Sequence, residues 1–323
     1  MPPERISVVV PVRNEAASID ELAAALARQT RAPDEILIVD GGSDDDTRER
    51  VRAIVNADPR WRLINAGPAT PGRGRNVGAR SATHEWIAFT DAGAWPDGAW
   101  LDSLARAAGE DPVAAVVFGH YEPVTDTFFT RCAALAYVPR PRSSPSGVVR
   151  GPSTASMLIR RDVWDAAGGF PDLRAGEDLL FFDAIRDGGH ATAWAPDATV
   201  HWRLQPNLAS TFRRFKAFSR ANVEGGLESR WHRGILRYYV VAGILAALAA
   251  AYDWRLLAAI PALFVGRVVR SIWTRAARPR WRALVNPAVI AAVLAITIAI
   301  DAATFAGWWD ARPRPRAAAP RGR

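Results

Sequence analysis

Uncharged runs near the C-terminus constrain this chain more than any other feature in it. Residues 283–300 are 18 consecutive uncharged residues, residues 238–252 are 15, and a shorter run fills 256–266. A bilayer crossing takes roughly 20 apolar residues. The two longer runs reach that length if Arg237, Asp253 or Asp301 sits at an interface, and the middle run does so if Arg267 and Arg270 snorkel. Two or three hydrophobic helices are therefore expected over residues 229–323, behind a separate polar unit over residues 1–228.

Charge follows the same division. The chain carries a net charge of +8, yet residues 231–323 hold 14 Arg against only Asp253, Asp301 and Asp310, while residues 1–230 hold 27 basic residues against 30 acidic ones. A basic excess confined to an apolar end suits cytoplasmic membrane flanks beside anionic lipid, and no nucleic-acid partner is expected. A hairpin of the first two runs would place the basic loop 267–282 on the side of the N-terminal unit, as the positive-inside rule prefers. A third full crossing would then put the basic tail 310–323 on the opposite side, against that rule, so the alternatives for the segment ending Asp301…Trp308-Trp309 are a re-entrant helix or one packed within an oligomer. Just before the runs, Leu208, Phe212, Phe215 and Phe218 recur at helical spacing among Arg213, Arg214, Lys216 and Arg220. This pattern fits an interfacial helix or an amphipathic one packed on a sheet.

Cysteine and lysine usage removes whole classes of function. Cys132 is the single cysteine, so internal disulfides and Cys-rich zinc clusters are excluded and a reducing compartment is expected. Lys216 is the single lysine and lies in no glycine-rich loop, which excludes a phosphate-loop nucleoside triphosphatase.

The first 200 residues alternate strand and helix signals. The chain opens MPPERI and enters the apolar strand 6–12, so no leader is expected ahead of it. Ile19, Leu22, Ala23 and Leu26 then recur at helical spacing, residues 35–40 read as a strand, and Val51, Ile54 and Val55 mark another helix. Further strands are expected at 61–65, 86–90, 113–119, 155–159 and 191–201, and helices around 76–81 and 161–167. Residues 139–152, rich in Pro, Ser and Arg, read as a long mobile loop. The result is an α/β unit with a mostly parallel, Rossmann-like sheet, whose ligands belong beyond the carboxyl ends of the strands. Polar residues cluster at those ends: Arg13-Asn14-Glu15, Asp40-Gly41-Gly42-Ser43 and Asp91-Ala92-Gly93, with Glu177-Asp178 opening a later helix. Each cluster alone also fits a turn, a helix cap or dipole stabilisation.

Together, however, SVVVPVRNEAASI, EILIVDGGSDDDT, RGRNVGARSATHEWIAFTDAG and RGPSTASMLIRRDVWDAAGGFPDLRAGEDLLFFDA resemble, in order and spacing, the family 2 glycosyltransferases of the GT-A fold, in their membrane-attached bacterial branch. The resemblance runs from residue 6 to about 225. It implies that Pro11, Arg13, Asn14, Glu15, Asp40, Gly41 and Ser43 border the donor nucleotide. Arg75 and Asn76, behind the flexible Gly72 and Gly74, would approach the ribose-diphosphate. Asp91 matches the first acid of the DxD motif, which binds ribose and a divalent cation, Mg²⁺ or Mn²⁺. Gly93 stands where a second acid is common, which leaves metal ligation open. His201 matches a C-terminal histidine used as a metal ligand, although a lone histidine at a strand end is often structural.

Asp178, beside Glu177, would be the general base of a single, inverting displacement; adjacent carboxylates push their pKa values apart and keep one of them basic. Phe128, Phe129, Leu135 and Tyr137, next to Arg140, Arg142, Arg150 and Gly151, would receive a lipid-linked or envelope-glycan acceptor, the other reading being a packed helix and a solvated loop. The resemblance thus implies a hexosyltransferase-type enzyme using a nucleoside-diphosphate sugar, multi-pass in the inner (plasma) membrane with its catalytic domain cytoplasmic. The alternatives are a nucleotide-sugar-binding membrane module without catalysis, suggested by Gly93, and a membrane partner in envelope export.

Overall fold

A computed structural model describes residues 1–144, 146–275 and 281–311. The chain divides into two compact units, Met1–Leu204 and Gln205–Arg323. The sequence pattern drew this division at 228.

In the first unit β1 (Ile6–Val12), β2 (Glu35–Asp40), β3 (Trp61–Asn65), β4 (Trp86–Phe89), β5 (Ala94–Pro96), β6 (Val116–Val124), β9 (Met157–Arg160) and β10 (Thr192–Arg203) form one sheet, ordered β3-β2-β1-β4-β9-β6-β10-β5. Only β9 and β5 run antiparallel to their neighbours. A separate hairpin joins β7 (Arg142–Ser144) to β8 (Gly147–Val149). The helices are α1 (Ile19–Ala27), α2 (Thr47–Ala57), α3 (Pro71–Ser81), α4 (Trp100–Glu110), α5 (Phe128–Tyr137), α6 (Arg161–Ala166) and α7 (Glu177–Asp187).

The apolar runs of β1 and β2 are buried on both faces, as a parallel strand covered by helices requires. Val8, Val10, Leu22 and Trp100 belong to one core and Val9, Leu37, Phe89 and Phe181 to the other. Helix α3 lies close on the sheet at Gly78, where a Cβ would stand 2.3 Å from Val9 Cγ1.

Three differences from the sequence reading have physical causes. Helix α3 starts at Pro71, not near 76, because Thr70 accepts the Arg73 N–H (3.2 Å) and proline suits the first helical position. Residues 139–152 are not simply a mobile loop: they carry the β7–β8 hairpin, and Arg150 holds its base. Strand β5 and helix α4 went unread, the strand because three residues give no periodicity.

The second unit contains α8 (Leu208–Glu224), α9 (Glu228–Ala251), α10 (Ala259–Arg275), the short α11 (Trp281–Leu284) and α12 (Pro287–Asp310). Among the described residues, three segments are long and apolar enough to cross a membrane: Glu228–Ala251, Trp254–Arg275 and Pro287–Asp310, with hydropathies of 1.8, 1.6 and 2.3. Helix α8 packs on α12, and Ser219 Oγ donates to the Thr304 carbonyl (2.6 Å). Arg267 does not snorkel alone: it makes two hydrogen bonds to the buried Asp301 (2.5 and 2.9 Å), which also accepts from the Tyr239 hydroxyl (3.0 Å). Residues 276–280 of the basic loop, and the tail from residue 312, lie outside the described residues.

Candidate active site

Strands β1, β2 and β4 end on one rim, and the loops that follow them are stitched together. Asp40, fully buried at the end of β2, accepts from the N–H groups of Gly42 (3.3 Å) and Ser43 (3.1 Å). The Ser43 hydroxyl accepts from the Asn14 N–H (3.0 Å), and the Asn14 side-chain oxygen accepts from the Asp44 N–H (3.0 Å). Asn14 takes a φ of 58°, a left-handed conformation that asparagine tolerates. Beside it, the Glu15 N–H donates to Thr47 Oγ1 (2.8 Å), while Arg13 is exposed. Gly41 packs under Ala69, whose carbonyl oxygen would lie 3.2 Å from an added Cβ. Pro11 would lie 3.1 Å from a Cβ on Gly74, so the start of α3 rests against the end of β1.

The rim is organised by one buried cation. Arg75, 4% exposed, donates to Asp91 Oδ1 (2.7 Å) after β4 and to Glu177 Oε1 (2.7 Å) at the first residue of α7. Its Nε is buried without a partner. Glycine at position 72 lets α3 approach α7 this closely, since a Cβ there would stand 2.2 Å from the Pro171 carbonyl oxygen and 3.2 Å from Glu177 Cγ. Gly176, at φ 79°, caps α7 in a conformation that favours glycine.

Burial pushes the Asp178 carboxyl above its ordinary pKa; Arg75 opposes this and Asp91 adds to it. Burial likewise lifts Glu177 despite its ion pair, with Asp178 adding. Burial disfavours the charge on Arg75, but Asp91 and Glu177 outweigh it and hold the guanidinium above its usual value.

The rim brings together Pro11, Asn14, Asp40, Ser43, Arg75, Asp91 and the Glu177-Asp178 pair, but several of these side chains have protein partners. Arg75 joins two acids. Asn76 spends its amide on Phe170, donating to its carbonyl (2.7 Å) and accepting from its N–H (2.8 Å). His201 Nε2 lies 2.7 Å from Asp97 Oδ1, and the ring stacks on Trp95 with centroids 5.6 Å apart. Among the described residues, no group of three or more His, Cys, Asp or Glu side chains comes together to hold a metal. Asp91, its side chain 41% exposed, still has a second carboxylate oxygen outside the Arg75 pair. One carboxylate oxygen, completed by phosphate oxygens and water, suits Mg²⁺ or Mn²⁺ that arrives with a diphosphate.

Arg150 is also committed. It donates to Glu122 Oε2 (2.7 Å), the Tyr121 carbonyl (3.1 Å) and the Pro139 carbonyl (2.8 Å), so it fastens the hairpin to β6. Arg140 and Arg142 are exposed, and Gly151 follows at φ 120°. Tyr121 escaped the sequence reading, since a half-buried tyrosine in a strand carries no signal. Its hydroxyl is pushed up to about 12 by burial, with Arg150 and Arg142 opposing and Asp178 adding, so it lies within electrostatic reach of both Asp178 and the hairpin.

A mostly parallel sheet that gathers acidic loops on its carboxyl rim is the GT-A type of glycosyltransferase fold. The mannosyltransferase PcManGT from Pyrobaculum calidifontis, solved in complex with GDP-Man and Mn²⁺, shares it with a TM-score of 0.56 at 20% identity, over 96% of this chain and 88% of that one. Residues 7–166 match the family model Glycosyl transferase family 2, so the first unit carries a family 2 glycosyltransferase domain. It is 30% identical over 200 residues to glycosyltransferase AglE of Haloferax volcanii, covering 59% of this chain and 64% of AglE. It is 36% identical over 126 residues to validoxylamine A glucosyltransferase of Streptomyces hygroscopicus subsp. limoneus, covering 35% of this chain and 26% of that enzyme. The chain thus spans less than two thirds of either relative's length.

Proposed function

We propose that this chain moves a sugar from a nucleoside-diphosphate sugar to an acceptor hydroxyl in one inverting displacement, with Asp178 as the general base. The observation that carries this reading is the Arg75 bridge, which brings the Asp91 tip and the Glu177-Asp178 pair to one buried cation. Asp178 takes the acceptor proton as the acceptor oxygen bonds to the anomeric carbon. The bond from that carbon to the diphosphate breaks on the opposite side, and the electron pair leaves with the nucleoside diphosphate. A carboxyl lifted above its ordinary pKa holds that proton better than an unperturbed one. The Asp40 and Asn14 loops border the nucleotide, and Asp91 faces the ribose and diphosphate. A divalent cation bound with the donor would neutralise the leaving group, as the Mn²⁺ and GDP-Man of PcManGT suggest.

The acceptor reading is a lipid-linked or envelope glycan. It is supported by the exposed Arg140 just before the hairpin, by the exposed Arg142 on it and by the apolar helices of the second unit. These helices hold the protein at the inner membrane, with residues 1–204 as the catalytic unit on the cytoplasmic face, where nucleotide sugars are made.

The test is thermal shift and product detection on the full chain in detergent, with UDP, GDP and dTDP sugars, with and without Mn²⁺. One donor should both stabilise the protein and yield product, and Asp178→Asn should keep the shift and lose turnover. Full turnover by Asp178→Asn would remove Asp178 from this role; stabilisation without product from any acceptor would favour a binding module.

A further inference from the structure

The three apolar helices are packed unequally. Within the unit, 39% of the apolar stretch of α12 is buried, against 6% for α9 and 11% for the Trp254–Arg275 segment. What covers α12 is basic. Toward its C-terminal end α12 lies along α8: Ser219 bonds the Thr304 carbonyl, a Cβ on Gly307 would stand 2.3 Å from the Lys216 carbonyl oxygen, and Lys216 Nζ meets Asp310 (2.8 Å). Helix α8 carries Arg213, Arg214, Lys216 and Arg220 within 17 residues, too many charges for a crossing.

On its other contacts α12 meets α9 and α10 where their uncharged runs stop. Asp301 binds Tyr239, the second residue of the run 238–252, and Arg267, which directly follows the run 256–266. The buried residues of α10, Val268 and Ile272, also lie past that run. The runs themselves are largely bare, with Val240, Val241, Ile244, Leu248, Leu257 and Val265 exposed. At 1.5 Å per residue they extend about 22 and 16 Å, short of the roughly 30 Å hydrocarbon core.

We infer that α12 is not a third crossing: α9 and α10 form a hairpin inserted from one face, α12 lies beside α8 in the anionic headgroup layer of that same face, and the chain leaves the membrane where it entered. Exposed Arg213, Arg220 and Arg233 are then the headgroup contacts. With no third crossing, the end of α12 stays on the same face as Arg270, Arg275 and Arg282, so the conflict with the positive-inside rule disappears. The inference rests on the membrane reading above.

The test is cysteine accessibility in the full-length protein expressed in cells, with buried Cys132 as a low background. Ala217→Cys on α8 and Ala311→Cys after α12, each first shown to react in detergent, are treated with a membrane-impermeant maleimide before and after permeabilisation. Both should react from the same side, and a reporter fused to the C-terminus of the otherwise unchanged chain should report that side too. Reaction of the two cysteines from opposite sides would overturn the inference. Loss of the unmodified protein from membranes on alkaline washing would instead overturn the membrane reading.

Discussion

Arg75→Met removes the cation that two acids share, and its cost can be worked from burial. The Arg75–Glu177 pair is sealed, with side chains 5% and 8% exposed, whereas the Asp91 side chain is 41% exposed. Deleting one partner of a buried pair costs about 3–5 kcal/mol. The Asp91 half adds less than about 1 kcal/mol, because water screens it. The stranded Glu177 has one escape, which is to take up a proton; from an ordinary carboxyl pKa of about 4.3, protonation near pH 7.5 costs about 4 kcal/mol, which holds the total toward the lower end of the range. At roughly 2–4 °C per kcal/mol for a unit of this size, the melting temperature should fall by about 6–15 °C.

The pH dependence has a definite sign. Burial already raises the folded-state pKa of Glu177, and losing Arg75, which opposes that rise, lifts it further. A group with a raised folded pKa contributes stability that is full below its unfolded pKa and is lost as pH rises through the folded value. The deficit of Arg75→Met should therefore shrink on acidification toward about pH 5, and Arg75→Met/Glu177→Gln should recover much of it at neutral pH. Thermal unfolding of the full chain, followed by tryptophan fluorescence, measures both. An Arg75→Met protein melting within about 2 °C of the parent at every pH, or a double variant showing simple additivity, would refute the reasoning.

If Asp178 is the base, activity should rise with pH through a pKa above the ordinary aspartate value of about 3.9, because burial lifts it; an acid limb at that ordinary value in a kcat/KM profile would count against it. The same burial means that the ionised carboxylate burdens the fold at neutral pH, so Asp178→Asn should melt higher than the parent. Gly307→Val has no room against the Lys216 carbonyl and Ser219, and should cost about 1–3 kcal/mol by forcing α8 and α12 apart. Gly243→Val, with nothing within 4 Å, serves as the silent control in the same melting assay.

The frame of the first unit was legible because β1 and β2 lie where apolar residues run together between Gly, Pro and Asp signals, and a strand buried on both faces advertises itself that way. The acids of the rim were legible by position, since Asp40 and Asp91 follow strands whose carboxyl ends face the ligand side. Their partners were not. Arg75 and Glu177 are 102 positions apart, and their meeting depends on Gly72 admitting the Pro171 carbonyl, a packing fact that no local pattern encodes. The hairpin at 142–149 was hidden for the opposite reason: its composition is that of a loop, and pairing across only three residues a strand leaves no period to count.

Arginine explains why the site cations were harder to read than the site acids. With one lysine in the chain, arginine serves both to meet ligands and to staple the fold, and only the second use is a matter of distant partners. The planar fork suits stapling, because it bridges several acceptors at once where an ammonium is a point charge. Arg150 spans a carboxylate and two carbonyls, Arg161 reaches the carbonyls of Ala79, Ala82 and His84, and Arg267 grips both oxygens of Asp301. Arg75 belongs to this set by geometry while standing among the acids of the rim. A diphosphate cannot take both of its arms without releasing Asp91 or Glu177, and Asp91, the more exposed of the two, is the one that water can compensate. If the chain binds a diphosphate donor as proposed, binding would free the Asp91 carboxylate as a cation arrives with the diphosphate, and a rim with Gly93 in place of a second acid would then still offer that cation one carboxylate.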